Sequence, residues 1–229
     1  MREQIKSWQH VFKLDPDRPI SDDELRQVCC SGTDAIMVGG SSGVTYDNTA
    51  DLVKRIGQYE VPCVLEVSDL EMVVPGFDLY MIPLILNTND SQWMIGQHVA
   101  AIEQYSQLIP WDKLVPEGYI VLNAHSTVAQ RTEALTEIDT DRATAYAQAG
   151  DRLFQLPIIY IEYSGRFGDM TLTAEIHRSI HQSQLFYGGG IRDMHSARQA
   201  KQVCDTIVVG NIIYENLQAA LDTVQVISR

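Results

Sequence analysis

Positive charge is scarce in this chain: 17 Lys and Arg stand against 30 Asp and Glu across 229 residues, for a net charge of −13. Nucleic-acid surfaces displace counterions with clustered Lys and Arg, so a nucleic-acid binder is excluded. The same field opposes any phosphorylated ligand, which must be gripped locally by backbone N–H groups and a divalent metal. Cysteine is sparse too. Cys29, Cys30, Cys63 and Cys204 lack metal-ligand spacing and the first two are adjacent, so a disulfide framework is excluded and all four read as reduced core residues. Long apolar runs are missing: the longest, near residues 80–86, is far too short to cross a bilayer, and residues 1–6 hold no apolar export core. A cytoplasmic location is expected. No Pro/Gly-rich or polar tract marks a linker, so residues 1–229 read as one domain.

What is present is a repeat of short apolar runs and amphipathic segments. Runs suited to buried parallel strands fall at 10–14, 35–38, 63–67, 79–86, 119–122, 157–163, 185–187 and 206–209. Helical spacing predicts helices over 22–30, 48–58, 91–108, 141–154, 171–181, 194–203 and 214–224, the first behind the capping residue Ser21. Eight strands alternating with helices predict an α/β fold, a (β/α)8 TIM barrel. The crossover after the third strand is too short. Residues 68–78 contain Pro75 and Gly76, so the third helix is expected to be shortened or replaced by a loop, exposing an apolar flank of the sheet.

In a closed parallel barrel all strand C-termini open on one face, where the site should lie. Gly188-Gly189-Gly190 and Gly210-Asn211 end strands seven and eight, the usual place for a phosphate cradle, although each could be a plain turn. Lys13 and Asp15 share one side of strand one. Asp15 suits Mg²⁺, with the Ser41 hydroxyl a second contact, but Lys13 and Asp15 could equally form a rim salt bridge. Tyr160, Glu162 and Ser164 share one face of strand six. A carboxylate inside an apolar strand is either paired or working, so Glu162 is either the general base or an interior Glu tied to Lys13 or a Tyr hydroxyl. Glu66, mid-strand, reads as part of an interior polar network. The six histidines form no ligand set, and His177 with His181 reads as a solvated helix face.

The stretches Phe12-Lys13-Leu14-Asp15-Pro16, Thr33-Asp34-Ala35-Ile36-Met37-Val38-Gly39-Gly40-Ser41, Tyr160-Ile161-Glu162-Tyr163-Ser164-Gly165, Tyr187-Gly188-Gly189-Gly190-Ile191 and Val209-Gly210-Asn211 closely resemble the PcrB family of prenylglyceryl phosphate synthases. The likeness extends over nearly the whole chain, short third crossover included. It implies a Mg²⁺-dependent transfer of a polyprenyl group from its diphosphate to a hydroxyl of sn-glycerol 1-phosphate, heptaprenyl in bacterial members and geranylgeranyl in archaeal relatives. It further implies that Lys13, Tyr160, Ile161, Glu162, Tyr163, Ser164, Gly165, Gly190, Gly210 and Asn211 hold glycerol phosphate. Asp15 and Ser41 would hold Mg²⁺, and Glu162 would take the hydroxyl proton. The family suggests a homodimer, and peripheral contact with membrane lipid is expected. The gap at the third helix and residues 91–108 are the expected prenyl groove, where the small Ala100 and Ala101 leave room for a long chain. Two alternatives stand beside this reading: another phosphate-binding barrel, such as a sugar-phosphate isomerase or lyase, and a non-catalytic glycerophosphate or lipid-binding protein.

Overall fold

The computed structural model describes residues 2–227. Eight parallel strands, β1 (His10–Leu14), β2 (Ala35–Val38), β3 (Cys63–Glu66), β4 (Leu79–Ile85), β5 (Leu114–Val121), β6 (Ile158–Glu162), β7 (Gln184–Gly188) and β8 (Thr206–Val209), close into a barrel in chain order. Closure is made by β1 against β8, from His10 beside Ile207 to Phe12 beside Val209. Alternation along each strand produces two cores. Val11, Met37, Val64, Met81, Tyr160, Phe186 and Val208 fill the barrel, and Ile5 and Trp8 join that inner cluster from the chain's start. Phe12, Ile36, Leu65, Ile161, Tyr187 and Val209 pack outward among the helices.

The helices are α1 (Asp22–Cys29), α2 (Tyr46–Ile56), α3 (Gln97–Tyr105), α4 (Thr127–Thr132), α5 (Thr140–Gln148), α6 (Met170–Ser179), α7 (Met194–Lys201), α8 (Ile212–Glu215) and α9 (Leu217–Asp222). Ser21 starts α1 in a capping box with Glu24, as its sequence suggests. Two expectations need correction. β5 begins five residues earlier than its apolar run, and the C-terminal helix is split where Asn216 leaves the helical conformation to cap α9; α4 is a further helix, too short to show periodicity. Cys29, Cys63 and Cys204 are buried free thiols, whereas Cys30 is exposed at the end of α1.

Between β3 and β4 there is only a 3₁₀ turn, Leu70–Met72. Met72, Val74 and Phe77 sink into the core there, and the Tyr80 hydroxyl donates to the Val74 carbonyl at 2.9 Å. This loop covers less sheet than a helix would. Ile82, Pro83 and Leu84 of β4 remain partly exposed, with His98 of α3 reaching the Pro83 carbonyl at 3.1 Å.

β1 is anchored through a buried histidine. His10 lies edge-on to Phe12 at 4.6 Å, and its ring nitrogens meet the hydroxyls of Thr33 at 2.9 Å and Thr223 at 2.8 Å. Burial lowers its pKa to about 3, against about 6.5 for an ordinary histidine. The unfolded chain therefore binds a proton that the folded one refuses, and stability is lost as pH falls below about 6.5 towards 3. Denaturant titrations should show that decline, and His10→Gln should flatten it. An equal pH slope in the variant would place the sensitivity elsewhere.

Candidate active site

The strand C-termini open into a cleft of about 1840 Å³ that runs from the barrel mouth along the uncovered flank of β4. That exceeds the roughly 300–1,000 Å³ of an ordinary small-molecule site, so there is room for a small phosphate ester together with a long apolar chain. One arm is polar. Lys13, Asp15, Ser41, Glu66, Tyr119, Tyr160, Glu162, Ser164, Gly165, Gly190, Gly210 and Asn211 all line it. The other arm is apolar, walled by Val73, Ile82, Leu84, Ile102, Leu108 and Trp111. Ile161 and Tyr163, on the alternate face of β6 and its end, turn into the outer core. Any ligand contact from those two would come from backbone.

Lys13 does not pair with Asp15. Its ammonium meets Glu66 Oε2, across the barrel mouth on β3. Burial works against that charge, but Glu66, which it bonds, and Glu162 outweigh it and hold the Lys13 pKa above the usual lysine value. An ammonium so held is a poor nucleophile, which argues against a Schiff-base lyase.

Glu162 is held in a defined orientation. Oε1 accepts from both the Ser164 backbone N–H and the Ser164 hydroxyl, the latter at 2.9 Å. The Ser164 backbone takes a φ of 20° to aim its N–H at the carboxylate, and Asn123 fixes the turn by donating to the carbonyls of Tyr163 at 3.1 Å and Ser164 at 2.8 Å. Oε2 has a Tyr119 hydroxyl at 3.3 Å. Burial pushes the Glu162 carboxyl above its usual value, while Lys13 and the Ser164 donors hold it back. The result is a carboxylate with Oε1 satisfied by two donors and Oε2 held only by the longer Tyr119 contact, the disposition of a general base.

The β1 and β2 ends bring Asp15 and Ser41 together with hard oxygen donors. Asp15 Oδ1 accepts the Asp17 N–H at 3.0 Å, and a Cβ at Gly40 would overlap the Asp15 carboxylate, so any larger residue there would push that carboxylate aside. Burial raises the Asp15 pKa, opposed by that hydrogen bond and reinforced by the Asp17 charge. Among the described residues no group of three His, Cys, Asp or Glu could hold a metal ion. One carboxylate and one hydroxyl still fit Mg²⁺, which commonly takes one or two protein ligands and completes its shell with water and substrate phosphate.

On the other side of β1, past its neighbour β8, the loop after β7 carries Gly190 with φ +57°, and a Cβ there would overlap the Phe167 backbone nitrogen. That glycine is thus required for the β7 loop to pack on the β6 loop, whatever it also offers an anion. Gly210 has no such constraint, since its nearest neighbour for a Cβ is the Lys13 carbonyl at 3.5 Å. Asn211 Oδ1 accepts from Arg18 at 3.1 Å, and Arg18 stacks on Tyr214 at 3.9 Å. Arg192 lines the cleft just beyond the glycines. Sequence reasoning overlooked Arg18, Arg192, Glu117 and Tyr119. For Glu117 and Tyr119 a signal existed, because with Val121 they share the inward face of β5 just as Tyr160 and Glu162 share that of β6. Asn87 serves the barrel instead, bridging to Val121 in β5 at 2.7 and 3.0 Å. His177 is not merely solvated: it pairs with Asp205 at 3.2 Å.

A closed (β/α)8 barrel whose cleft joins a buried carboxylate and the Asp15 corner to an apolar flank defines a class of barrel proteins with room for a small polar ligand beside a long hydrophobic chain. Comparison with known proteins narrows it. The PcrB family pattern matches residues 3–227, and the chain belongs to the PcrB family. It is 46% identical over 227 residues to the heptaprenylglyceryl phosphate synthase of Geobacillus kaustophilus, covering 99% of this chain and 95% of that one. It is 48% identical over 223 residues to the same-named enzyme of Bacillus cytotoxicus, covering 97% of each. Among solved structures, the (S)-3-O-geranylgeranylglyceryl phosphate synthase of Thermoplasma acidophilum, in complex with substrate sn-glycerol-1-phosphate, superposes with a TM-score of 0.86 at 22% identity, covering 99% of this chain and 94% of that one. At that identity the superposition speaks for the fold.

Proposed function

We propose that this protein joins a polyprenyl group, heptaprenyl by likeness to its relatives, to a hydroxyl of sn-glycerol 1-phosphate, forming an ether and releasing diphosphate. The observation that carries the reading is one continuous cleft with a half-satisfied carboxylate at its polar end and the uncovered flank of β4 at its apolar end. The glycine loops and Lys13 would receive the acceptor phosphate, with Arg192 at the rim. Glu162 Oε2 would take the hydroxyl proton as the acceptor oxygen bonds to the allylic carbon and the carbon–diphosphate bond breaks. Asp15 and Ser41 would hold Mg²⁺, which, when bound, supplies positive charge for the departing diphosphate.

Labelled sn-glycerol 1-phosphate incubated with Mg²⁺ and prenyl diphosphates of graded length should pass into the organic phase. No transfer with any donor would overturn the reading. Ala101 lines the apolar arm whereas Ala100 points to solvent, so only the former is placed to limit chain length. Ala101→Trp should shorten the longest accepted donor, read by chromatography of products; an unchanged product length would remove Ala101 from that role.

The surroundings of the apolar arm support peripheral contact with membrane lipid. Residues 91–110 carry a single charge, Glu103, and expose Ile95, Val99 and Leu108, the last at 79%. Among the described residues no helix is long and apolar enough to cross a membrane. A homodimer is proposed on the family likeness, with the exposed Leu153 and Phe154 available for contact; light scattering should give twice the 25.7 kDa chain mass.

A further inference from the structure

Beneath the cleft, the barrel interior holds one lysine and three glutamates. Lys13 comes from β1, Glu66 from β3, Glu117 and Tyr119 from β5, and Tyr160 and Glu162 from β6. The Tyr119 hydroxyl lies 2.7 Å from Glu66 Oε1 and 3.3 Å from Glu162 Oε2, so its single proton is given to Glu66. Glu66 Oε2 takes the Lys13 ammonium. Glu162 Oε2 is thus left with an unshared lone pair and a hydroxyl oxygen beside it that is itself free to accept.

We propose that Tyr119 relays the proton gained by Glu162 to Glu66. The inference rests on Glu162 acting as base in the proposed transfer. A proton arriving on Glu162 Oε2 passes to Tyr119 Oη while the Tyr119 proton moves to Glu66 Oε1. One proton enters and one leaves the tyrosine, Glu162 returns to a carboxylate, Glu66 becomes a neutral acid, and no electrons are exchanged.

The charge balance of the layer favours this uptake. Glu117 is fully buried and neither of its oxygens has a hydrogen-bond partner. Burial, reinforced by the charges of Glu66 and Glu162 against the pull of Lys13, raises its pKa well above the usual range, so it rests as a neutral acid. The remaining charges are then Lys13 positive and Glu66 and Glu162 negative, and one added proton brings the layer to neutrality. Tyr160 faces the same space with no hydrogen-bond partner for its hydroxyl, and Tyr187 of β7 lies on the outer side, where its hydroxyl accepts the Gly168 N–H at 2.8 Å and donates to the Gly189 carbonyl at 3.0 Å. β2 and β8 contribute no titratable group, and Tyr80 of β4 bonds outward to Val74.

Tyr119→Phe tests the relay, because the phenyl ring can keep its stack on Tyr160, 4.4 Å between centroids. The single-turnover rate of transfer should fall about tenfold, the effect of one hydrogen bond to a charged group. KM for sn-glycerol 1-phosphate should stay within about twofold, as expected when a group outside ground-state binding is removed. In mixtures of H₂O and D₂O the wild-type rate should curve with deuterium content, two protons moving together, and become linear in Tyr119→Phe and in Glu66→Gln, which cannot take the proton. Unchanged rate and curvature in Tyr119→Phe would overturn the relay while leaving Glu162 as base intact. Full activity in Glu162→Gln would overturn both.

Discussion

Glu162→Gln should lower the turnover of prenyl transfer by about 10²–10⁴-fold, the usual contribution of a general base, while KM for glycerol phosphate changes little. The amide can still accept the two Ser164 hydrogen bonds on its carbonyl oxygen, so the turn after β6 keeps its shape and only the basic lone pair is lost. In the wild type the acid limb of the rate should lie above the ordinary glutamate value, since burial raises the Glu162 pKa and makes the active carboxylate form appear at higher pH. Steady-state kinetics across pH on both proteins checks this. A variant retaining near-full turnover would mean that the acceptor proton goes elsewhere, the leaving diphosphate being the first candidate.

The second large effect is expected at Asp15. Asp15→Asn keeps an acceptor for the Asp17 N–H but removes the carboxylate that packs on Gly40 where β1 and the β2 loop meet. Turnover at ordinary Mg²⁺ should fall by about 10³-fold, several kcal/mol of charge stabilisation being at stake, and should recover in part as Mg²⁺ is raised. Gly40→Ala should act in the same direction more weakly, because a methyl there displaces the carboxylate without removing it. Initial rates against Mg²⁺ concentration report both. An identical Mg²⁺ dependence in wild type and Asp15→Asn would move the metal to other ligands.

The barrel was legible because each of its eight apolar runs falls on an observed strand, and because a parallel strand buried on both faces needs little more than Val, Ile and Leu to declare itself. β5 was cut short because Pro116, Glu117 and Gly118 are poor strand formers in isolation; the ladder to β4, from Tyr80 beside Leu114 to Ile85 beside Tyr119, overrides them. That error hid the inward face of β5, and with it Glu117. Lys13, in β1, and Asp15, just past its end, both line the cleft, but their partners could not be read locally. Lys13 meets a glutamate 53 positions away, and Asp15 is packed by a glycine loop from the next strand. Local alternation shows which face a side chain takes, whereas pairing across the mouth depends on barrel closure. The apolar flank beside the cleft was legible for a different reason: a helix that Pro75 and Gly76 forbid must leave its sheet uncovered, and Ile82, Pro83 and Leu84 are that uncovered sheet.

The most direct measurement is the stoichiometry of the reaction itself. Wild-type protein, Mg²⁺, heptaprenyl diphosphate and labelled sn-glycerol 1-phosphate should yield one diphosphate released for each labelled molecule made organic-soluble, with a mass equal to the ether of the two and resistance to mild alkali. Diphosphate release without incorporation of label, or binding of both ligands with neither released nor joined, would contradict prenyl transfer as the function of this cleft.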